Sequence, residues 1–350
     1  MKPGNQRILQ AVALILLLAL YLGYVVFVIQ GDQGPVDYET FMEIGGRLRA
    51  GQEVYGENSY YPMLFVTIFA FFAGLPRPVS MALWLLLPVL AALVISGWKP
   101  WVLLFAPLFG HFVGGQSALF GMLGFWGYRR EKNPDHWESG LWLAMTALKP
   151  QLGIIPTAFA LYQWWKFWRV ERRIPRQAIG WLAGIAVLYI PPFFVSPGWV
   201  GQWLASPRPL ALRAMAGLFP RGLALALGGG WLFWTMLALL SGLLLYVIWC
   251  KGGLNLDRWM LWYFIISPLV HDYDVIQLIP LIETPKERRL AVLLSLPLWL
   301  VILFFYSTDV AWFAVTLIAP GLLIYRLWRE NGSHAVTTQI KEKGMILGKK

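Results

Sequence analysis

The sequence predicts an all-α, polytopic integral membrane protein, and three observations carry that prediction. Of its 350 residues, 58% are hydrophobic and only 13% charged, where soluble domains carry about 25% charged residues. The apolar residues fall in runs long enough to cross roughly 30 Å of hydrocarbon at 1.5 Å per residue. The Lys and Arg behind the net charge of +11 punctuate those runs and form no domain of their own. They read as the cytoplasmic ends of spans, which excludes nucleic acid as a partner and leaves membrane lipids as one. The single Cys250 allows no internal disulfide.

Lys2 and Arg7 precede the first span, Ile8 to Ile29, and place the N-terminus in the cytoplasm. The first outer loop then covers residues 30–61. Within it Tyr38, Phe41, Ile44 or Gly45, and Leu48 recur at helical spacing, with Glu43 and Arg47 four apart. This predicts a short amphipathic helix at the outer interface. A short span over 62–75 is expected to return inward to Arg77, and 79–96 to go out to a turn at Trp98-Lys99-Pro100. Residues 101–128 form an apolar run broken at Gly114-Gly115-Gln116 and ending in Arg129, Arg130 and Lys132.

Charge then constrains topology. One crossing over 139–164 would leave Lys166, Arg169, Arg172, Arg173 and Arg176 outside. A hairpin of half-helices breaking at Lys149-Pro150 keeps both basic clusters inside, and proline favours the break by removing a backbone donor. Residues 177–195 lead out to a second outer loop, 196–222, which carries Arg208, Arg213 and Arg221, and 223–249 returns. A second broken pair covers 259–282, interrupted at Ser267-Pro268 and His271-Asp272-Tyr273-Asp274. Residues 290–306 go out, Asp309 marks a turn and 310–327 return. The count is about ten to twelve spans in one transmembrane domain, 1–328, with 329–350 a flexible cytoplasmic tail.

Polar groups at membrane depth cost several kcal/mol and are functional candidates by default. Asp37, Gln116 with His111 nearby, Lys149, and His271-Asp272-Tyr273-Asp274 all face the outer half on this topology. A carboxylate at a half-wet edge can accept a proton from a sugar hydroxyl. A cation in the same cavity can bind a phosphate and stabilise its leaving charge, and a histidine can bind phosphate oxygens. No nucleotide-binding glycine loop and no convincing metal-ligand spacing is present, so no cofactor is expected. The plain alternatives are a solvated or N-capping Asp37, a snorkelling Lys149, a hydrogen-bonded core His271 and a Gln116 that satisfies broken backbone. Arg208, Arg213 and Arg221 bind donor or acceptor phosphate, or anchor at headgroups.

An ordered set of pieces carries a family resemblance. Asp37-Tyr38 follows the first span, then come 50–55 (Ala-Gly-Gln-Glu-Val-Tyr) and Tyr60-Tyr61-Pro62. Gly115-Gln116, Ala147-Leu148-Lys149-Pro150, and Ser267-Pro268 with His271-Asp272-Tyr273-Asp274 complete it. In these the chain resembles the polyprenol-phosphate-mannose-dependent mannosyltransferase-like family, glycosyltransferase family 87, which has the GT-C fold. The resemblance implies a GT-C-like bundle and an inverting transfer of a hexose, mannose being the usual one, from a polyprenyl-phosphate donor to a lipid or glycan acceptor. Asp37 would be the catalytic base, with Lys149, His271 and Tyr61 on the substrate side. Met63 and Ala118 stand where the family usually has Pro and Asn. A transporter or lipid flippase, and an inactive GT-C-like scaffold, are the other readings.

Overall fold

The computed structural model describes residues 3–31, 34–56, 59–131, 133–206, 215–251, 253, 255–305 and 315–329. Among them the chain is helical, without a strand; an isolated bridge pairs Met215 with His271. Four helical segments are long and apolar enough to cross a membrane: 8–30, 77–96, 176–195 and 231–250. Among the described residues these are fewer than the ten to twelve spans expected from the sequence, because several apolar runs are split, as 101–128 is into two helices, or too short.

α1 (Pro3–Gln30) ends beside α2 (Val36–Arg49), the amphipathic helix of the first loop. Tyr38, Phe41, Ile44 and Gly45 form its buried face, at the spacing expected. That face is pressed onto α3 (Met63–Ala73). A Cβ on Gly45 would collide with the Phe69 backbone, so the glycine lets the two helix axes approach closely.

α3 corrects one expectation. Eleven residues rise only about 16 Å, half a bilayer core. Arg77 bonds Glu39 at 2.8 Å and the Gly31 carbonyl at 3.4 Å, so it lies at the end where α1 finishes, not at the opposite one. α2 and α3 thus form a hairpin at one end of the molecule. α4 (Arg77–Ser96) runs back alongside α1. Its last residues share a cleft with Trp126, Arg129, Arg130 and Arg288, so the 98–100 turn lies at the basic end rather than the Asp37 end.

From there the chain re-enters. A 3-10 turn over Pro100–Val102 leads to α5 (Ala106–Gly114), and α6 (Leu119–Arg130) returns to the basic end. α7 (Trp137–Met145), a 3-10 turn over Thr146–Leu148 and α8 (Pro150–Glu171) form the hairpin expected at Lys149-Pro150. α9 (Arg176–Tyr189) crosses α7 backbone to backbone, with Gly140 against Gln177 and Gly180 against Trp137. α10 (Pro192–Val195) closes the 176–195 segment, and α11 (Trp199–Ala205) lies in the second loop. Arg208 and Arg213 fall outside the described residues.

α12 (Leu218–Leu227) and α13 (Trp231–Cys250) lead to α14 (Leu256–Ile266). The second interruption follows: an extended stretch, then a ten-residue 3-10 helix over Asp272–Leu281. α15 (Pro285–Leu300) opens with a capping box of Thr284 and Glu287, and a last helix covers 318–329. The Asp309 turn and the tail beyond 329 lie outside the described residues.

One hydrophobic core joins α1–α6 to α14, the 3-10 helix, α15 and the last helix. The basic end is tied by ions. Arg129 bonds Asp257 at 2.7 Å and Glu283 at 2.5 Å; Arg326 bonds Asp257 at 2.6 Å and Glu287 at 3.1 Å. Desolvation pushes the Asp257 carboxyl up, but Arg129 and Arg326 outweigh it and hold the group below its ordinary value.

Candidate active site

Each candidate side chain sits where a helix begins. Asp37 is in the first turn of α2; Gln116 and Ser117 immediately precede the Ala118 cap of α6; Lys149 caps α8; His271 caps the 3-10 helix. A helix start presents unpaired N–H groups and a partial positive charge. These four starts are brought together through the side chains they carry, in a region that therefore favours anions.

Gly115 makes the first junction. Its φ of +66° ends α5 in the left-handed region. Its open Cα face lies against Tyr38 and Pro35, where a Cβ would come within 2.8 Å and 3.0 Å. Trp84 Nε1 donates to the Gly115 carbonyl at 2.8 Å. The next residue, Gln116, is thereby delivered to Asp37, and its Nε2 donates to Asp37 Oδ2. The Gln116 Oε1 is buried with no partner.

His111 braces the same turn. It is 1% exposed, and its Nε2 accepts the Ala118 N–H at 3.1 Å. An accepting Nε2 assigns the ring proton to Nδ1, which is buried and unpartnered. Sequence reasoning noted His111 only as a neighbour of Gln116; the i to i+7 spacing to a backbone donor gave no signal.

Lys149 makes the second junction. Its Nζ lies 2.5 Å from Asp274 Oδ1 and 4.5 Å from the Tyr273 ring centroid. Both partners of this pair are almost completely buried. Asp274 Oδ2 accepts the His271 backbone N–H at 3.0 Å. Lys149 is thus compensated inside the protein, and a phosphate reaching it would compete with Asp274. Asp274 belongs to the polar run 271–274 that the sequence singled out, but its role as the partner of Lys149 was not expected.

Asp272 Oδ1 is buried without a hydrogen-bond partner, in the field of Arg221. Tyr61 OH lies 3.4 Å from Ser117 Oγ, and its ring stacks on Phe65 with centroids 5.1 Å apart. His271 packs against Tyr273 at 5.3 Å. Asp37 and Lys149 interact electrostatically, as do Tyr273 and each of Asp37, Asp272 and Asp274. The structure thus gathers Asp37, Gln116, Tyr61, Lys149, His271 and Asp272 at one end of the helices. Burial pushes the Asp37 carboxyl above its ordinary value of 3.8, against the opposing pull of Lys149 and Gln116. A base with a raised pKa holds a proton more firmly once it has taken one.

A cavity of about 900 Å³ lies at the other end, among α6, α8 and the start of α14, and none of these candidates lines it. Among the described residues no cluster of His, Cys, Asp and Glu has the arrangement of a metal site. Comparison with protein-family models, with curated proteins and with solved structures finds no match.

Proposed function

We propose that this chain is a membrane-embedded glycosyltransferase of GT-C type. It moves a hexose from a polyprenyl-phosphate donor to a lipid or glycan acceptor with inversion, and Asp37 is the general base. The observation that carries the reading is the bond from Gln116 to Asp37 at a junction of helix starts. It fixes one carboxylate oxygen and leaves Oδ1 to face an acceptor.

In the proposed step the acceptor hydroxyl oxygen attacks the anomeric carbon of the donor. Its proton passes to Asp37 as the bond from that carbon to the phosphate oxygen breaks. The polyprenyl phosphate leaves with the electron pair, its negative charge favoured by the helix starts of α6 and α8. In this reading Gln116 orients the base, and Tyr61 and Asp272 meet sugar hydroxyls. Lys149 holds Asp274 and the His271 turn in place, and Arg208 and Arg213 are the further candidates for phosphate. General-base catalysis contributes about 10²–10⁴-fold.

The test is transfer from a polyprenyl-phosphate hexose in membranes containing the protein, followed by mass spectrometry of the acceptor. Asp37→Asn should lower transfer by at least about 10² at unchanged protein level. Full transfer by that variant would remove Asp37 from the mechanism.

One observation favours a second reading. Interrupted helices around a buried Lys149–Asp274 pair are also a transporter device. Flipping of a labelled lipid in proteoliposomes with no covalent product would decide for it. Tight donor binding with neither product nor flipping would mark an inactive scaffold.

A further inference from the structure

The last turns of α8 carry a pattern that the transfer reaction does not use. From Lys166 to Arg176 the chain has five cations and one acid. Each of the first three lies over the aromatic ring one turn before it. Lys166 is 5.6 Å from the Tyr162 centroid, Arg169 is 5.3 Å from Trp165 and Arg172 is 5.9 Å from Trp168. Arg130, on α6, lies 4.7 Å from the Trp126 ring. Tyr162, Trp165 and Trp168 are about half exposed. A guanidinium over a ring uses its face and keeps its in-plane N–H donors for an oxyanion.

The cavity of about 900 Å³ opens beside this ledge. Its lining includes the apolar Phe159, Phe167 and Leu256 and the cations Lys166 and Arg130. Four carboxylates also line it. Asp257 and Glu283 are met by Arg129, Glu131 lies 3.0 Å from His136 Nδ1, and Glu171 interacts with Arg173. Lys166 and Arg130 make no ion pair among the described residues. A chamber of this size, lined by apolar side chains and by two cations without an ion pair, fits an amphiphile with a negative head.

We propose that this cavity and ledge seat an anionic phospholipid at the end of the protein opposite Asp37. The phosphate lies on Lys166 and Arg130, and the upper acyl chain lies along Phe159 and Phe167. The inference rests on the membrane reading of the chain and is independent of sugar transfer.

The test uses the full chain in detergent, with neither donor nor acceptor present. Retention of phosphatidylglycerol and of phosphatidylcholine with the same acyl chains is compared by native mass spectrometry. Phosphatidylglycerol should be retained at least tenfold over phosphatidylcholine, and a large excess of glycerol 3-phosphate should not displace it. The variant K166Q/R130Q should lose the preference, and K286Q/R289Q should keep it. Equal retention of the two lipids by the unaltered protein overturns the proposal, whatever the variants do. Displacement by glycerol 3-phosphate also overturns it, in favour of a soluble-phosphate site. A preference surviving in a folded K166Q/R130Q protein also overturns it, because the proposed seat of the phosphate is those two residues.

Discussion

Asp37 is pulled in two directions. Burial, the larger effect, raises its pKa, and the Lys149 charge and the Gln116 bond lower it. Removing the Gln116 bond leaves the upward pull less opposed. Gln116→Leu should therefore raise the Asp37 pKa further. The base works only when deprotonated, so the acid limb of the transfer profile should move to higher pH. Reaction of Asp37 with a hydrophobic carbodiimide, which takes protonated carboxyls, should extend to higher pH in parallel and needs no transfer assay. His111→Ala should move both readouts the same way through the 115–118 turn, but less. A Gln116→Leu protein with an unshifted carbodiimide profile would end the assignment of Gln116 as the residue that tunes the base. The Lys149–Asp274 pair makes a second claim at this scale. Lys149→Met leaves a carboxylate buried and alone, at a cost of about 3–5 kcal/mol. Lys149→Met with Asp274→Leu should recover much of that in thermal unfolding, because the pair, not either charge, is compatible with the core. Gln116, Lys149 and His271-Asp274 were legible in the sequence as polar groups in apolar runs. Their partners were not, because the bonds of Gln116 to Asp37 and Lys149 to Asp274 span 79 and 125 residues.

Among the elements, those with a periodic or proline signal were the readable ones. The buried stripe of α2 and the break before Pro150 both followed from local chemistry. α3 misled because eleven apolar residues have the composition of a span and half its length. What fixes α3 is the flat meeting of Gly45 with Phe69, a tertiary fact. The turn at 98–100 was misplaced for the same reason, since the direction of α4 depends on whether α3 crosses. Gly115 joins two elements, and its substitution tests the junction. Gly115→Ala meets both a left-handed φ and the Tyr38 Cβ. It should cost about 1–3 kcal/mol and push the 115–118 turn from α2. Transfer and the carbodiimide profile of Asp37 should then change as in Gln116→Leu. Gly46→Ala, in the same stretch of chain but with no heavy atom within 4 Å of the added Cβ, should leave both readouts as they were.

At the scale of the molecule, two polar ends are held apart by one apolar body, and the 3-10 helix over Asp272–Leu281 spans from one toward the other. Its first turn carries the Asp272–Asp274 part of the candidate site. Its last turn is gripped by arginines, Arg129 on the Pro280 carbonyl and Arg326 on the Leu281 carbonyl. Charge topology made the basic end legible, because Lys and Arg collect there. The acids that organise it, Asp257, Glu283 and Glu287, look in sequence like solvated loop residues. Their pairing has a pH signature. Asp257 and Glu287 are held below their ordinary values of 3.8 and 4.5. In both cases burial alone would raise the carboxyl. The two arginines overcome it at Asp257, and the Thr284 backbone bond with Arg326 does so at Glu287. A depressed folded pKa gives stability that is complete above the unfolded value and is lost as pH falls through the folded one. The thermal midpoint should therefore hold from pH 7 to about 5 and fall below about 4.5. Asp257→Asn should lower the midpoint at pH 7 and flatten the fall. Because the same network anchors the 3-10 helix, this variant should also loosen the far turn, seen as faster amide hydrogen exchange at 271–274. If exchange there stays unchanged while the midpoint drops, the two ends are mechanically independent and the basic end serves stability alone.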